Sequence, residues 1–279
     1  MNPLPLLSVI VANYNNGSYL RDCLDSILEQ TYKNVEIIVS DDASTDNSPE
    51  IIREYEAKHP GIVKGIFSTV NRGVSKNRHG AILQVEGEYI TTLDSDDYYA
   101  DPRKLQMEME LIAEHKKRTG RDVITFSNIQ LVKADKKLIC ILGNENNIRE
   151  GYILEEILTR SCMIPRDYII KKNDYFEMGG YDHQFPIYED WDLKIRLAAR
   201  YEFYYTGIVG TAYRRHGTGL SSLPLSRNIK WMKKVFKKNL PLVGKERKKE
   251  TVRNIRQIMK TIKAQSLKKQ HDYSCQLHQ

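Results

Sequence analysis

The chain of 279 residues is 41% apolar, enough to bury one large domain, alone or with an appendage. Its four cysteines (Cys23, Cys140, Cys162 and Cys275) are scattered with no CxxC or Cys/His spacing, which fits a reducing compartment better than a disulfide framework or a zinc site. The net charge of +7 divides unevenly: from Arg227 to Lys269 there are 16 Lys and Arg against Glu246 and Glu250, a balance of +14 that leaves the remainder at −7.

Neither the opening MNPLPLL nor any later run reads as a signal peptide or a bilayer span, which takes roughly 20 apolar residues. The expectation is a cytoplasmic protein. Leu6–Ala12 (LLSVIVA) is nearly continuous in apolar residues, as in a strand buried on both faces. Ser18–Gln30 follows with Leu20, Cys23, Leu24, Ile27 and Leu28 at helical spacing. The alternation continues: strand Val35–Ser40, helix Ser48–Lys58, strand Val63–Thr69, helix Ser75–Val85, strand Glu88–Leu93 and helix Arg103–Lys117. Strand and helix in strict alternation predict an α/β fold, a Rossmann-like, mostly parallel sheet flanked by helices.

From about Asp122 the rhythm breaks. Val123–Asn128 and Ile129–Leu142 read as strands, with a hairpin around Ala134 and Asp135. Helices are expected at Glu150–Thr159, Lys171–Glu177 and Asp190–Arg200, and a strand at Phe203–Arg214. Two basic amphipathic helices, Arg227–Asn239 and Glu246–Leu267, close the chain as a C-terminal extension.

Ligands of open parallel sheets bind beyond the carboxyl ends of the strands. Two acidic clusters fall there: Asp41-Asp42-Ala43-Ser44-Thr45-Asp46, and Asp94-Ser95-Asp96-Asp97. Asp94-Ser95-Asp96 offers hard oxygen ligands for a divalent cation, and three acids in four residues repel one another without one. Its bland reading is a solvated acidic turn. Asp41 and Asp42 are read either as turn and helix-capping groups or as acceptors for a base N–H or ribose hydroxyls.

Glu189-Asp190-Trp191-Asp192 opens a predicted helix, where the dipole alone favours acids. The alternative is a catalytic base in a setting made partly apolar by Phe185, Tyr188 and Trp191, aromatic rings that also suit a sugar. His216, beside Arg214 and Arg215, is either structural or turned to a diphosphate or metal, and Arg78 has the same choice between solvent and phosphate.

With these pieces in order, the sequence resembles family 2 of the inverting glycosyltransferases, which have the GT-A fold. The resemblance runs from about Leu7 to Ser222 and rests on SVIVANYNNGSYLRDCLDSILEQTY, VEIIVSDDASTDNS, NRGVSKNR, GEYITTLDSDD, GGYDHQFPIYEDWDLKIRLA and YRRHGTGLS. It implies a catalytic domain over 1–226, with a nucleotide-binding half to about 100 and an acceptor half from 101, followed by the tail 227–279. It also implies that Ala12, Tyr14, Asp42, Arg78, Asp94 and Ser95 bind the nucleotide-sugar, with a UDP-sugar favoured. Asp96, with Asp94 and His216, would hold Mn²⁺ or Mg²⁺, and Asp190 would be the general base. Gly179, Gly180, Glu189 and Trp191 would form the acceptor side. Three positions depart from the family pattern: Ala43 and Ala81 stand where Gly is usual, and His79 where Asn is.

The implied reaction is a single displacement with inversion onto a glycan or lipid-linked glycan. In the tail, Ile229, Met232, Val235, Phe236 and Leu240 form one apolar stripe, and Val252, Ile255, Ile258 or Met259, Ile262 and Leu267 another. Such helices lie on an anionic membrane, here its inner face, or pack on the catalytic domain or a second subunit. A nucleotidyltransferase would carry a Gly-rich, Arg-containing loop where this chain has Asn13-Tyr14-Asn15-Asn16-Gly17. A dinucleotide oxidoreductase would carry GxGxxG there. A nucleic-acid-binding role leaves the paired carboxylates unexplained, so no nucleic-acid partner is expected. A sugar-nucleotide-binding protein without turnover is the non-enzymatic alternative.

Overall fold

Every residue of β1 (Leu7–Asn13) is buried, the condition that makes its sequence almost uniformly apolar. The computed structural model describes residues 4–142, 148–216 and 225–276. β1 pairs in parallel with β2 (Val35–Asp41) on one side and β4 (Tyr89–Asp94) on the other. β3 (Val63–Phe67) extends the sheet beyond β2. The intervening helices are α1 (Gly17–Leu28), α2 (Ser48–Lys58) and α3 (Val74–Ile82). Alternate residues of β1 serve different cores: Leu7, Val9 and Val11 join one apolar cluster and Ile10 the other.

The second half begins with the two-residue β5 (Tyr98–Tyr99) and α4 (Lys104–Thr119). β6 (Ile124–Lys133) and β7 (Leu138–Leu142) form the expected hairpin, but the boundary read at Asn128 is not a strand break. The register shifts there while the strand continues, and Asn128 Oδ1 accepts from the next N–H, so a polar bulge mimics a terminus. The helix expected over Glu150–Thr159 shrinks to α5 (Leu154–Leu158), because Gly151 is bridged to Phe203. β8 (Ile170–Lys171) takes Lys171 into an antiparallel pair with Tyr89, so α6 (Lys172–Glu177) starts one residue later than expected.

α7 (Glu189–Ala198) and β9 (Phe203–Arg215) complete this half. The result is a five-stranded sheet in the order β3-β2-β1-β4-β8 beside a four-stranded sheet in the order β5-β9-β6-β7. A buried network joins them: Lys104 Nζ meets Glu108 Oε1 at 2.8 Å, and Asp167 accepts from Thr211 Oγ1 and from the Tyr213 hydroxyl.

α8 (Leu225–Asn239) and α9 (Lys245–Gln276) are joined by a short turn of 3₁₀ helix at Leu240–Leu242. Met232, Val235 and Phe236 are buried in the same apolar cluster as Trp191 and Leu193, and Ile255, Met259 and Ile262 pack against it. Of the two readings of the stripes, packing on the body is what these residues do. Leu267 lies outside the residues whose side chains are described, and the motif residues from Gly217 onward lie outside the described residues to 224. No helix is long and apolar enough to cross a membrane among the described residues.

Candidate active site

The two acidic clusters lie at the carboxyl edge of the first sheet, one on each side of β1. At the end of β2, Asp41 accepts from Asn13 Nδ2 at 2.7 Å and from the Ser44 N–H. Asn15 N–H reaches Ser44 Oγ, and Asn15 Oδ1 takes the Thr45 N–H, so the loops after β1 and β2 are knitted together. Asp42 is buried, and its two oxygens accept the N–H groups of Arg72 (2.9 Å) and Gly73 (2.8 Å). It thereby fixes the entry to α3. Tyr14 stands exposed above this edge, while Ala12 contributes its carbonyl to the Ser95 N–H. Ser95 is wholly buried, and its hydroxyl accepts from Asn16 Nδ2.

β5 explains why the second cluster meets His216. Its antiparallel pairing with β9 sets Tyr98 opposite Ala212, which lays the loop 95–97 against the end of β9. The Arg214 N–H then donates to Asp97 Oδ1 at 2.7 Å, and His216 Nε2 lies 2.7 Å from Asp96 Oδ2. Asp94, Asp96 and Asp97 each present a carboxylate oxygen, all within 4.8 Å of one another.

Two arginines divide this charge. Arg78, only 3% exposed, bonds Asp94 Oδ1 and reaches Glu189 Oε1 at 2.9 Å, so it faces neither solvent nor an open cleft. Arg166 bridges Asp94 Oδ2 and Asp97 Oδ2, both at 2.8 Å, and stacks 4.4 Å from the centre of the Tyr213 ring. Burial raises the Asp94 carboxyl, but Arg166 and Arg78 outweigh it and hold Asp94 below the usual range. Asp97 is pushed well above that range by burial, with Asp96 and Asp94 adding repulsion. Asp96 is the acid of the three that neither arginine holds among the described residues. Hard oxygens with an imidazole beside them suit Mn²⁺ or Mg²⁺, so the donor set fits a divalent cation.

Of the residues expected on the acceptor side, Gly179 and Gly180 sit on the loop leading into α7, and Glu189 and Trp191 in its first turn. Gly180 has φ +62°, and a Cβ there would meet the Tyr175 hydroxyl oxygen at 2.8 Å, so the position needs glycine. Arg196 of α7 ties the loop down through the carbonyls of Met178 and Gly180. In the first turn, Glu189 and Asp190 are driven apart. Burial, then repulsion from Asp190, raises Glu189 to about 7 against the pull of Arg78. Burial also raises Asp190, but Lys194, 3.1 Å away, with Arg166 and Arg78, overrides it and keeps Asp190 well below the usual carboxylate range.

Trp191 is not gathered with them. It is 6% exposed, donates from Nε1 to the Ile157 carbonyl and stands edge-on to Phe236, so it is core and offers no open platform to a sugar. Arg166, Lys194 and Asp97 are the partners that sequence reasoning missed as site residues. Asp97 was visible in its acidic run; Arg166 and Lys194 carry no local signal.

A parallel sheet with acidic loops at its carboxyl edge, joined to a second mixed sheet that brings a histidine to those acids, is the GT-A arrangement of a glycosyltransferase. The chain belongs to glycosyl transferase family 2, whose family model matches residues 8–172, more than half of it. It is 29% identical over 220 residues to an uncharacterized protein of Mycobacterium tuberculosis, covering 77% of this chain and 60% of that one. The chain thus spans under two thirds of that relative's length. Its fold matches Staphylococcus aureus TarS, solved with UDP, at TM-score 0.66 and 18% identity, over 91% of this chain and 70% of that one. It also matches the mannosyltransferase PcManGT of Pyrobaculum calidifontis, solved with GDP-Man and Mn²⁺, at TM-score 0.67 and 18% identity, over 94% of this chain and 74% of that one.

Proposed function

We propose that the chain transfers a sugar from a nucleoside-diphosphate sugar to an acceptor hydroxyl in a single inverting displacement, in the synthesis of a cell-surface polysaccharide or glycan. The observation that carries this reading is the Asp94–Arg78–Glu189 chain of ion pairs, which ties the acidic cluster after β4 to the first turn of α7. This supports one edge of the molecule that carries both the carboxylates that would hold a cation and Asp190, next to Glu189 in the same first turn.

Asp190 is the base in this proposal and Glu189 is not. The Asp190 side chain is 28% exposed and that of Glu189 7%, so Asp190 is the one an acceptor can meet. It takes the hydroxyl proton as the acceptor oxygen bonds to the anomeric carbon, and the bond from that carbon to the diphosphate breaks on the opposite face. Lys194 and Arg166 keep Asp190 ionised for this task. A divalent cation would be held by Asp96 with Asp94 and His216, and when bound it supplies positive charge to the departing diphosphate. The Ala12 backbone, Tyr14 and Asp42 would line the nucleobase pocket, and the Gly180 loop would border the acceptor. A UDP-sugar is the first donor to try, since TarS is solved with UDP and with UDP-GlcNAc; GDP-mannose is the second.

The test is hydrolysis of a panel of nucleotide sugars with Mn²⁺, Mg²⁺ or chelator, because slow transfer to water needs no known acceptor. Metal-dependent release of nucleoside diphosphate from one donor, lost in Asp190→Asn and in Asp96→Ala, is the expected result. Nucleotide binding without turnover, with any acceptor fraction added, would instead favour a binding protein.

A further inference from the structure

The apolar stripes of α8 and α9 turn towards the body, so solvent meets their charged faces. On α8, Lys230, Lys233, Lys234 and Lys237 are exposed, and their spacing puts them on one side of the helix. On α9, Lys245, Lys249, Arg253, Arg256, Lys260 and Lys263 are exposed and follow one another at three or four residues, a cationic ridge about five turns long. Among the described residues, none of these ten forms an ion pair with a carboxylate. Lys238 and Arg247 differ, being held by Asp182 and Asp192 and by Glu155 and Glu156.

From Arg227 to Lys269 the only acids are Glu246 and Glu250, both exposed on α9, and neither forms an ion pair with these ten among the described residues. Cations in that excess repel one another, and a polyanionic surface would relieve that repulsion. Between the two helices the Leu240–Leu242 turn leaves Pro241 exposed and Leu242 43% exposed, an apolar corner set among lysines. A nucleic acid has no use for that corner, whereas the boundary of a bilayer receives it.

We propose that the cationic face of α8 and α9 docks the enzyme on an anionic phospholipid surface, with Leu242 entering the interface. Binding is then electrostatic in the main, because the long apolar stripes are already committed to the core. Each cation near such a surface strengthens binding about fivefold, the equivalent of about 1 kcal/mol. The inference is independent of the catalytic reading, since none of these residues belongs to the acidic edge.

Flotation of the full chain with vesicles tests it. The protein should rise with phosphatidylcholine vesicles containing about 30% phosphatidylglycerol and stay down with phosphatidylcholine alone, and raising salt from about 0.1 to about 0.5 M should release it. The triple variant Lys249→Gln, Arg253→Gln, Arg256→Gln should keep the wild-type melting temperature and lose about a hundredfold in partition coefficient. Equal flotation of variant and wild type would overturn the proposal, as would no flotation of the wild type. Retention on an RNA homopolymer without flotation would assign the face to nucleic acid instead.

Discussion

Arg78 Nη1 lies 2.9 Å from Glu189 Oε1, and that contact couples α3 to the first turn of α7. Arg78 is buried and bonded also to Asp94, so removing it takes the arginine from Glu189 and leaves Asp94 to Arg166 alone. Arg78→Gln should lower stability by about 3–5 kcal/mol in urea denaturation, the range for breaking a buried pair. Adding Glu189→Gln should recover part of that loss. A single variant indistinguishable from wild type would show that Arg78 holds nothing together.

Asp96 and Asp97 are neighbours with different duties. Asp97 is 1% exposed and engaged by the Arg214 N–H and by Arg166, whereas Asp96 faces His216. Asp96→Ala should abolish Mn²⁺ binding in calorimetry while leaving the melting temperature nearly unchanged. Asp97→Ala should lower it by roughly 3–10 °C, because it leaves buried donors unpaired. Exchanged outcomes would reverse the assignment of the two acids.

Glu108 makes stability depend on pH. Burial, against the pull of Lys104, raises its carboxyl from 4.5 to about 7. The unfolded chain releases this proton first, so the stabilisation is present below about pH 4.5 and is lost as pH rises to about 7. Glu108→Gln still accepts from Lys104 and Ser127 but does not titrate. Between about pH 5 and about pH 8, wild type should lose on the order of 1–3 kcal/mol relative to the variant in paired denaturation curves. Parallel pH profiles would mean that Glu108 is ionised throughout.

The strands of the first sheet were legible because burial on both faces selects short apolar runs, Val9–Ala12 in β1 and Ile37–Val39 in β2. The acidic loops were legible because strand ends announce where ligands bind. Arg166 was not, since its role arises only when β9 brings Tyr213 and the loop 95–97 to it. Trp191 misled for the opposite reason: an aromatic among acids suggests an open platform, but its partner Phe236 arrives from a helix far along the chain. The same distance effect hid the fate of the α8 stripe, whose sequence fits a membrane and a protein core equally well.

Ala43, where the family usually has glycine, does adopt a glycine-like backbone, with φ +63°. An L-residue there costs about 1–2 kcal/mol, while glycine costs about 0.5–1 through the unfolded chain. Ala43→Gly should therefore stabilise the protein by about 0.5–1 kcal/mol in chemical denaturation. Destabilisation would mean that the Ala43 methyl packs usefully in the turn.

The contact between Trp191 and Phe236 decides how the tail can be studied. The rings lie 5.2 Å apart at 87°, Phe236 is 5% exposed, and Met232 and Val235 are buried beside it. Phe236→Ala should cost about 3–5 kcal/mol, the range for emptying an aromatic core position. Truncation after Ser226 would remove all three side chains and uncover the apolar surface around α7, so the shortened chain should aggregate or bind a hydrophobic dye. A truncated protein that melts cooperatively at the wild-type temperature would instead show that the body folds without α8. If the truncation does unfold it, loss of vesicle binding on truncation says nothing about the cations of α8 and α9. Only substitutions on their exposed face separate docking from folding.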